Sequence, residues 1–392
     1  MKKAVVIIPT YNEKENIEKL IGILDDEVFP KITDWDMAIL VADDNSPDDT
    51  QGVVKKLMEK YKNLELNEGE KEGLGAAYIR AMSYAVEKMN ADVMFEMDAD
   101  FFHDPQKVPE FLKKIDEGFD FVIGTRYSGG GSIPSNWALN RKFLSVVGNL
   151  IVRVVFTRFY IHDWTGGYRC IKKEVFLKEK EKLAPFKGYR FQVGFLFSAV
   201  KDGFKVAEVP FNATDRTAGR SKMARSETIV DTLMYVFQAR FKELERFIKF
   251  LIVGGTGFIV QVLSQELAVR IGVAHAISAG IGAETAIIAN FLLNNFWTFQ
   301  DTLKMKEKSN GFIRLVKFNI TSVGAIFLQA AAVYLGEKIL GVNLHLIFIT
   351  VPTRIAVLFP TIIFLVIPLN YIIYNKIIWK TQHLKNADTK AA

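Results

Sequence analysis

The sequence predicts an α/β protein with a Rossmann-like, mostly parallel sheet over residues 1–225, then interfacial amphipathic helices and a four-helix transmembrane domain. Three observations carry this. Up to residue 225, short apolar runs alternate with amphipathic stretches at the spacing of a doubly wound sheet. Three of those runs end in polar residues suited to one nucleotide. Beyond residue 247, four apolar segments each reach the ~20 helical residues a bilayer requires.

Residues 4–8, AVVII, read as the first buried strand, and Pro9-Thr10-Tyr11-Asn12-Glu13 as the loop after it. A helix is expected over 14–24. Residues 37–42 form a second strand ending in Asp43-Asp44-Asn45-Ser46-Pro47-Asp48-Asp49-Thr50, whose last residues suit a helix N-cap. A glycine-containing loop over 68–75 precedes a helix over 76–89. The run Ala91-Asp92-Val93-Met94-Phe95 is a further strand, and it delivers Asp98-Ala99-Asp100 to its carboxyl end. A turn and a helix near Val108 follow. Two carboxylates at i, i+2 in that place suit a hard divalent cation, Mg²⁺ or Mn²⁺, shared with a nucleotide diphosphate. Ligands of open α/β sheets bind at this edge.

These motifs resemble the sugar-nucleotide half of the GT-A glycosyltransferases of family 2. Later segments narrow the resemblance to the polyprenyl-phosphate sugar transferases, the dolichyl-phosphate mannose synthases in particular. They are Gly124-Thr125-Arg126-Tyr127, Gly129-Gly130-Gly131 with Trp137 and Arg141, and Asp163-Trp164-Thr165-Gly166-Gly167-Tyr168-Arg169. Gly73-Leu74-Gly75, Gly188-Tyr189-Arg190-Phe191-Gln192, Glu208-Val209-Pro210, Asp215-Arg216 and Gly219-Arg220-Ser221-Lys222 complete the match over residues 4–225. The resemblance implies that Pro9, Tyr11, Glu13 and Asp44 hold the nucleoside. Asp43, Gly73, Ala99 and Gln192 would line the substrate pocket, and Asp98 and Asp100 would serve the metal and diphosphate. Arg126, Arg141, Ser145, Arg216 and Lys222 would face the lipid phosphate, with Asp100, Arg126 and Arg141 as the catalytic set.

The residue types suit that chemistry. A phosphate monoester is already ionised at neutral pH, so attack on the anomeric carbon needs positioning and charge neutralisation rather than a strong base. Arginine forks suit the acceptor phosphate, and an oxocarbenium-like transition state attacked in line inverts the anomeric centre. Two positions depart from the family pattern. Phe102 stands where a polar residue usually helps the metal, leaving His103, water or weak binding as alternatives, or a plain core role for the ring. Gly194 stands where the family often has Glu; Asp163 either takes over polar work nearby or stabilises a turn.

Residues 140–162 mix Phe143, Leu144, Val146, Leu150 and Val154 with Arg141, Lys142, Arg153 and Arg158, an amphipathic segment expected to lie on a bilayer. Residues 226–246 repeat the pattern as a separate interfacial helix. Four spans are expected, near 247–269, 273–299, 312–335 and 347–373, and a polar tail over 381–392 follows a membrane domain over 247–380. Asn290-Phe291-Leu292-Leu293-Asn294-Asn295-Phe296-Trp297-Thr298-Phe299 resembles a GtrA-type domain, either an anchor or an aid to lipid-sugar translocation. Glu284 is an acid in mid-membrane, with Arg354 as its candidate partner.

Lys304, Lys306, Lys308 and Arg314, with Lys376, Lys380 and Lys385, predict that the catalytic domain and both termini lie on the cytoplasmic side. The fusion of catalytic and GtrA-like parts resembles prokaryotic chains, which implies the plasma membrane. The apolar run after Lys3 is too short for a signal-peptide core. Cys170 is the single cysteine, so no intramolecular disulfide forms. A net charge of +6 beside membrane segments fits lipid headgroups and phosphates rather than nucleic acid. The resemblance implies GDP-mannose and dolichyl or polyprenyl phosphate as partners, and the apolar segments add the bilayer. A glucosyltransferase using UDP-glucose is the rival within the class. A non-catalytic lipid-sugar flippase with a degenerate nucleotide domain is the rival outside it.

Overall fold

Residues 4–8 are all fully buried because both faces of their strand are covered, which is why they read as an unbroken apolar run. Ala4, Val6 and Ile8 enter one core, and Val5 and Ile7 the other. The structure, a computed structural model, describes residues 1–184, 186, 188–214, 226–304, 311–345 and 350–379. It comprises two compact units, Met1–Arg240 and Phe241–Ala392.

The first unit is built on seven strands: β1 (Lys2–Thr10), β2 (Trp35–Asp43), β3 (Leu64–Glu68), β4 (Val93–Glu96), β5 (Phe121–Thr125), β6 (Arg169–Lys172) and β7 (Val206–Pro210). Their order is β3-β2-β1-β4-β6-β5-β7. All neighbours are parallel except β6, which runs against both β4 and β5. The register pairs Thr10 with Asp43 and Ile7 with Glu96, so the polar ends of β1, β2 and β4 share one edge.

Helices α1 (Lys14–Gly22), α2 (Thr50–Lys60) and α4 (Val108–Asp116) bury Ile17, Leu20, Val54, Phe111 and Ile115 on one face of the sheet. The opposite face takes α3 (Leu74–Glu87), α5 (Leu139–Phe156), α6 (Lys173–Leu183) and α7 (Tyr189–Lys201), through Tyr78, Phe156, Phe176, Phe191 and Phe195. Helix α3 starts two residues before the expected position. Gly73, which opens it at φ +105°, has open space where a Cβ would stand, so backbone conformation rather than crowding calls for glycine.

The interfacial segment is not a separate helix. Helix α8 runs unbroken over Ser226–Arg270, because nothing between Ser226 and Val253 is Gly or Pro and only the composition changes. Helices α9 (His275–Leu293), α10 (Gln300–Lys304), α11 (Gly311–Leu340), α12 (Thr353–Thr361) and α13 (Ile367–Ile373) complete the described α-helices of the second unit, with π-helical turns over Asn294–Thr298, Ile362–Val366 and Tyr374–Ile378. Four helical stretches are long and apolar enough to cross a bilayer: Ile229–Arg270, Ile277–Thr298, Gly311–Leu340 and Thr353–Ile378. A small core of Phe250, Phe291, Phe299, Phe318, Tyr374 and Trp379 holds this unit. Strands β8 (Asn343–His345) and β9 (Thr350–Pro352) pair antiparallel ahead of α12.

That hairpin corrects the proposed Glu284–Arg354 pair. Helix α12 begins only at Thr353, so Arg354 lies in its first turn. Glu284 is nine residues into α9, about 14 Å along its axis. Both side chains are exposed, and no ion pair joins them.

Candidate functional site

At the ends of β1 and β2 the two aspartates divide their work. Asp43 is fully buried and its carboxylate is saturated from within. Thr10 Oγ1 (2.7 Å), Ser46 N (2.9 Å), Ser46 Oγ (2.6 Å) and Gln51 Nε2 (2.8 Å) all donate to it. It shapes the turn and offers nothing to a ligand. Asp44 Oδ1 accepts from Arg80 Nη2 at 2.9 Å, and no second side chain among the described residues hydrogen-bonds to it. Burial raises the Asp44 pKa against the pull of Arg80. Half-buried Pro9 lies near the end of β1 and half-buried Tyr11 just after it, and Lys71 Nζ stands 3.3 Å from the centre of the Tyr11 ring. Glu13 accepts from Asn16 Nδ2 (3.0 Å), and its backbone N–H donates to Thr50 Oγ1 (3.2 Å).

The carboxylate couple follows β4. Asp98 is about a third exposed, Ala99 is buried, and Asp100 is 6% exposed with Oδ1 accepting from Phe102 N at 3.2 Å. The backbone N–H of Asp98 donates to His103 Nδ1 (3.0 Å), which leaves the imidazole proton on Nε2, 3.9 Å from Asp98 Oδ2. His103 therefore orients Asp98 and lends no lone pair to a cation, which removes it from the candidate ligands. Phe102 stacks on Trp137 (6.0 Å, 8°) and meets Phe211 edge-on. It is an aromatic support rather than a substitute ligand.

Beneath the couple lies a buried polar cluster. Glu96 and Arg169 are fully buried with Nε and Oε2 3.9 Å apart, and burial pushes Glu96 up to about 7. Gln192 is buried beside them, close enough to Glu96 to oppose the upward push on its carboxyl, though neither amide atom reaches ordinary hydrogen-bond geometry among the described residues.

On the acceptor side, Arg126 is buried and committed to Asp163 through Nε (2.7 Å) and Nη2 (2.8 Å). Asp163 also accepts from Gly166 N at 2.9 Å, so it both stabilises its turn and fixes the arginine. The resemblance would aim Arg126 at a lipid phosphate; its immediate partner is instead this carboxylate. Arg141 is exposed, with its guanidinium 3.7 Å from the Trp137 ring centre. Ser145, one helical turn on along α5, hydrogen-bonds to the Tyr127 hydroxyl. Much of that helix surface is apolar and open, with Phe143, Leu144, Val146, Leu150 and Val154 each 46–66% exposed, and Asn140, Lys142 and Arg153 are its other polar residues at least partly exposed. Arg216 and Lys222 lie outside the described residues. At Gly194, a Cβ would come within 2.5 Å of the Phe186 ring, so an aromatic fills the space a glutamate would need.

Sequence reasoning missed Arg80, Asn67 and Lys71 around Asp44, and the stack of Trp137 on Phe102. An arginine inside A-Y-I-R-A looks like any surface helix residue, and only the fold brings it to Asp44.

The donor set suits a hard cation shared with substrate. It consists of two carboxylates, and no cluster of three or more His, Cys, Asp or Glu side chains suited to a metal occurs among the described residues. Diphosphate oxygens and water would supply the remaining positions.

Comparison with known proteins bears on both units. The sequence profile described as glycosyl transferase family 2 matches residues 5–190, and that of the GtrA/DPMS transmembrane domain matches residues 249–379. A dolichol-phosphate mannosyltransferase of Pyrococcus furiosus is 33% identical over 328 residues, 83% of this chain and 88% of that protein. A polyprenol monophosphomannose synthase of Mycolicibacterium smegmatis is 36% identical over 231 residues, 57% of this chain and 82% of that protein. Among solved structures, a glucosyl-3-phosphoglycerate synthase of Mycobacterium tuberculosis aligns with a TM-score of 0.43 at 19% identity, covering 61% of this chain and 80% of that one.

Proposed function

The chain belongs to glycosyl transferase family 2 and carries a GtrA/DPMS transmembrane domain, and from that premise we propose that it transfers mannose from GDP-mannose to dolichyl or polyprenyl phosphate. One observation carries the reading: a single sheet edge delivers Tyr11, Asp44, Asp98 and Asp100, while α5 presents Arg141 and Ser145 on a helix with much of its surface exposed and apolar. A polar nucleotide and a lipid-borne anion are the two ligands such an arrangement suits.

Tyr11 and Asp44 hold the nucleoside. Asp98 and Asp100 hold the divalent cation, Mg²⁺ or Mn²⁺, which when bound neutralises the departing diphosphate. Arg141 and Ser145 orient the acceptor phosphate, with Arg141 steadied on the Trp137 face. Asp163 holds Arg126 behind them as a fixed ion pair, which shapes this side of the site without a mobile side chain. The acceptor arrives ionised, so none of these residues removes a proton, and in-line attack inverts the sugar. The protein is a multi-pass membrane protein by its transmembrane domain and four long apolar helices. Arg314 and Lys376, near the ends of spans, support a cytoplasmic catalytic unit.

The test is transfer of radiolabel from GDP-mannose to dolichyl phosphate by the purified full-length protein, with Mn²⁺ and with chelator. Label in the lipid phase only with the cation is expected. Activity with UDP-glucose and none with GDP-mannose would move the enzyme to the glucosyl branch.

A further inference from the structure

Arg80 is held in an unusual way for a residue on a helix flank. Its Nη2 donates to Asp44 Oδ1 (2.9 Å) and its Nε to Asn67 Oδ1 (2.9 Å), so α3 is tied to the ends of both β2 and β3. The guanidinium lies flat against Gly69, where any Cβ would come within 2.2 Å of Cζ and Nη1. Three segments thus fix one planar cation beside one carboxylate, and the Arg80 side chain remains 26% exposed. Asp43 is saturated, so Asp44 is the carboxylate of the doublet left to meet a base.

We infer that Arg80 is a specificity-determining residue, which together with Asp44 reads the hydrogen-bonding edge of a guanine base. The inference rests on the GDP-mannose reading above and deepens it. Guanine presents two adjacent donors, N1–H and the 2-amino group, followed by one acceptor, O6. A carboxylate beside a guanidinium presents the complement: two acceptor oxygens, then a donor. Uracil presents acceptor, donor, acceptor, so one of its carbonyls would face the Asp44 carboxylate with no hydrogen to share. A buried polar group left facing the wrong partner is what makes such sites selective. Asn67 and Gly69 keep the fork from turning away, which a lysine at residue 80 could not reproduce with its single rotating ammonium.

The test is calorimetric titration of the full-length protein with GDP, IDP (no 2-amino group), 6-thio-GDP (a weak acceptor in place of O6) and UDP. The wild-type protein is expected to bind IDP and 6-thio-GDP each about tenfold more weakly than GDP, as for loss of one charge-assisted hydrogen bond. In Arg80→Met the 6-thio penalty should fall below twofold while the IDP penalty persists. Lys71 is the other nearby cation, so Lys71→Met is the control and should keep both penalties. A wild-type protein indifferent to the sulfur overturns the inference without any variant, as does a penalty that disappears in Lys71→Met instead. A wild-type protein that prefers UDP to GDP sinks the GDP-mannose reading itself. One that prefers GDP yet shows no 6-thio penalty sinks only the role of Arg80.

Discussion

Asp163 carries no exposed surface, yet two guanidinium nitrogens and two backbone N–H groups converge on it. Removing it would strand Arg126 as a buried cation. Asp163→Ala is therefore expected to cost about 3–5 kcal/mol, the usual consequence of breaking a buried pair from one side. The unfolding midpoint of the catalytic unit in denaturant would show the loss. An unchanged midpoint would mean that water replaces the carboxylate. Asp100→Ala should behave differently, leaving the fold intact while lowering turnover with saturating substrates by at least about 100-fold. If turnover survives, the cation is not held there. The aspartates were legible in the sequence because spacing and strand position together define the carboxylate couple. The role of His103 was not, since a histidine three residues past the couple looks like a ligand until its Nδ1 is found accepting the Asp98 N–H.

Among elements, the opposite edge of the sheet is pinned by Asp92, at the entrance to β4. Lys173 Nζ donates to it at 2.7 Å and the backbone N–H of Lys3 at 2.9 Å, joining the start of α6 to β1 and β4. The Lys173 hydrogen bond, helped by the Lys3 N–H, holds the Asp92 carboxyl below its ordinary value of 3.8. A depressed folded pKa means stability that is present above the unfolded value and lost as pH falls through the folded one. Asp92→Asn should therefore destabilise the protein at pH 7, and its deficit should shrink once the pH drops below about 4. Unfolding midpoints at both pH values check this; an equal deficit at each would point to packing instead. Strands β1, β2 and β4 were plain in the sequence because doubly covered strands are apolar throughout. The continuity of α8 was not, because a change from mixed to apolar composition looks like a boundary although no helix-breaking residue sits there.

At the scale of the whole molecule, one unit carries the sheet edge proposed to bind the nucleotide and the other the long apolar helices, and α5 gives the first unit an exposed apolar surface proposed to meet lipid. Leu150 and Val154 are each 51% exposed on that surface. The double variant Leu150→Asp, Val154→Asp in the full chain should lower kcat/KM for a long-chain polyprenyl phosphate on the order of tenfold or more, with GDP affinity unchanged. Equal losses with a water-soluble short-chain acceptor would show that the helix serves the chemistry rather than delivery of the lipid. Four spans could be counted from hydropathy alone, whereas their ends could not. Arg354 seemed to lie at the depth of Glu284 until β8 and β9 moved the start of the last span.

Phe102 shares its backbone with Asp100 and His103, and its ring is stacked with the Trp137 that carries Arg141. In the proposed function, the donor-side anions and the acceptor-side cation are thus joined through two stacked rings, and a ligand that settles the first is expected to set the tilt of the second. The kinetic signature is a compulsory sequence of arrival. GDP should inhibit competitively against the sugar donor and non-competitively against the lipid, and random-order patterns would mean that the two rings move as independent pieces.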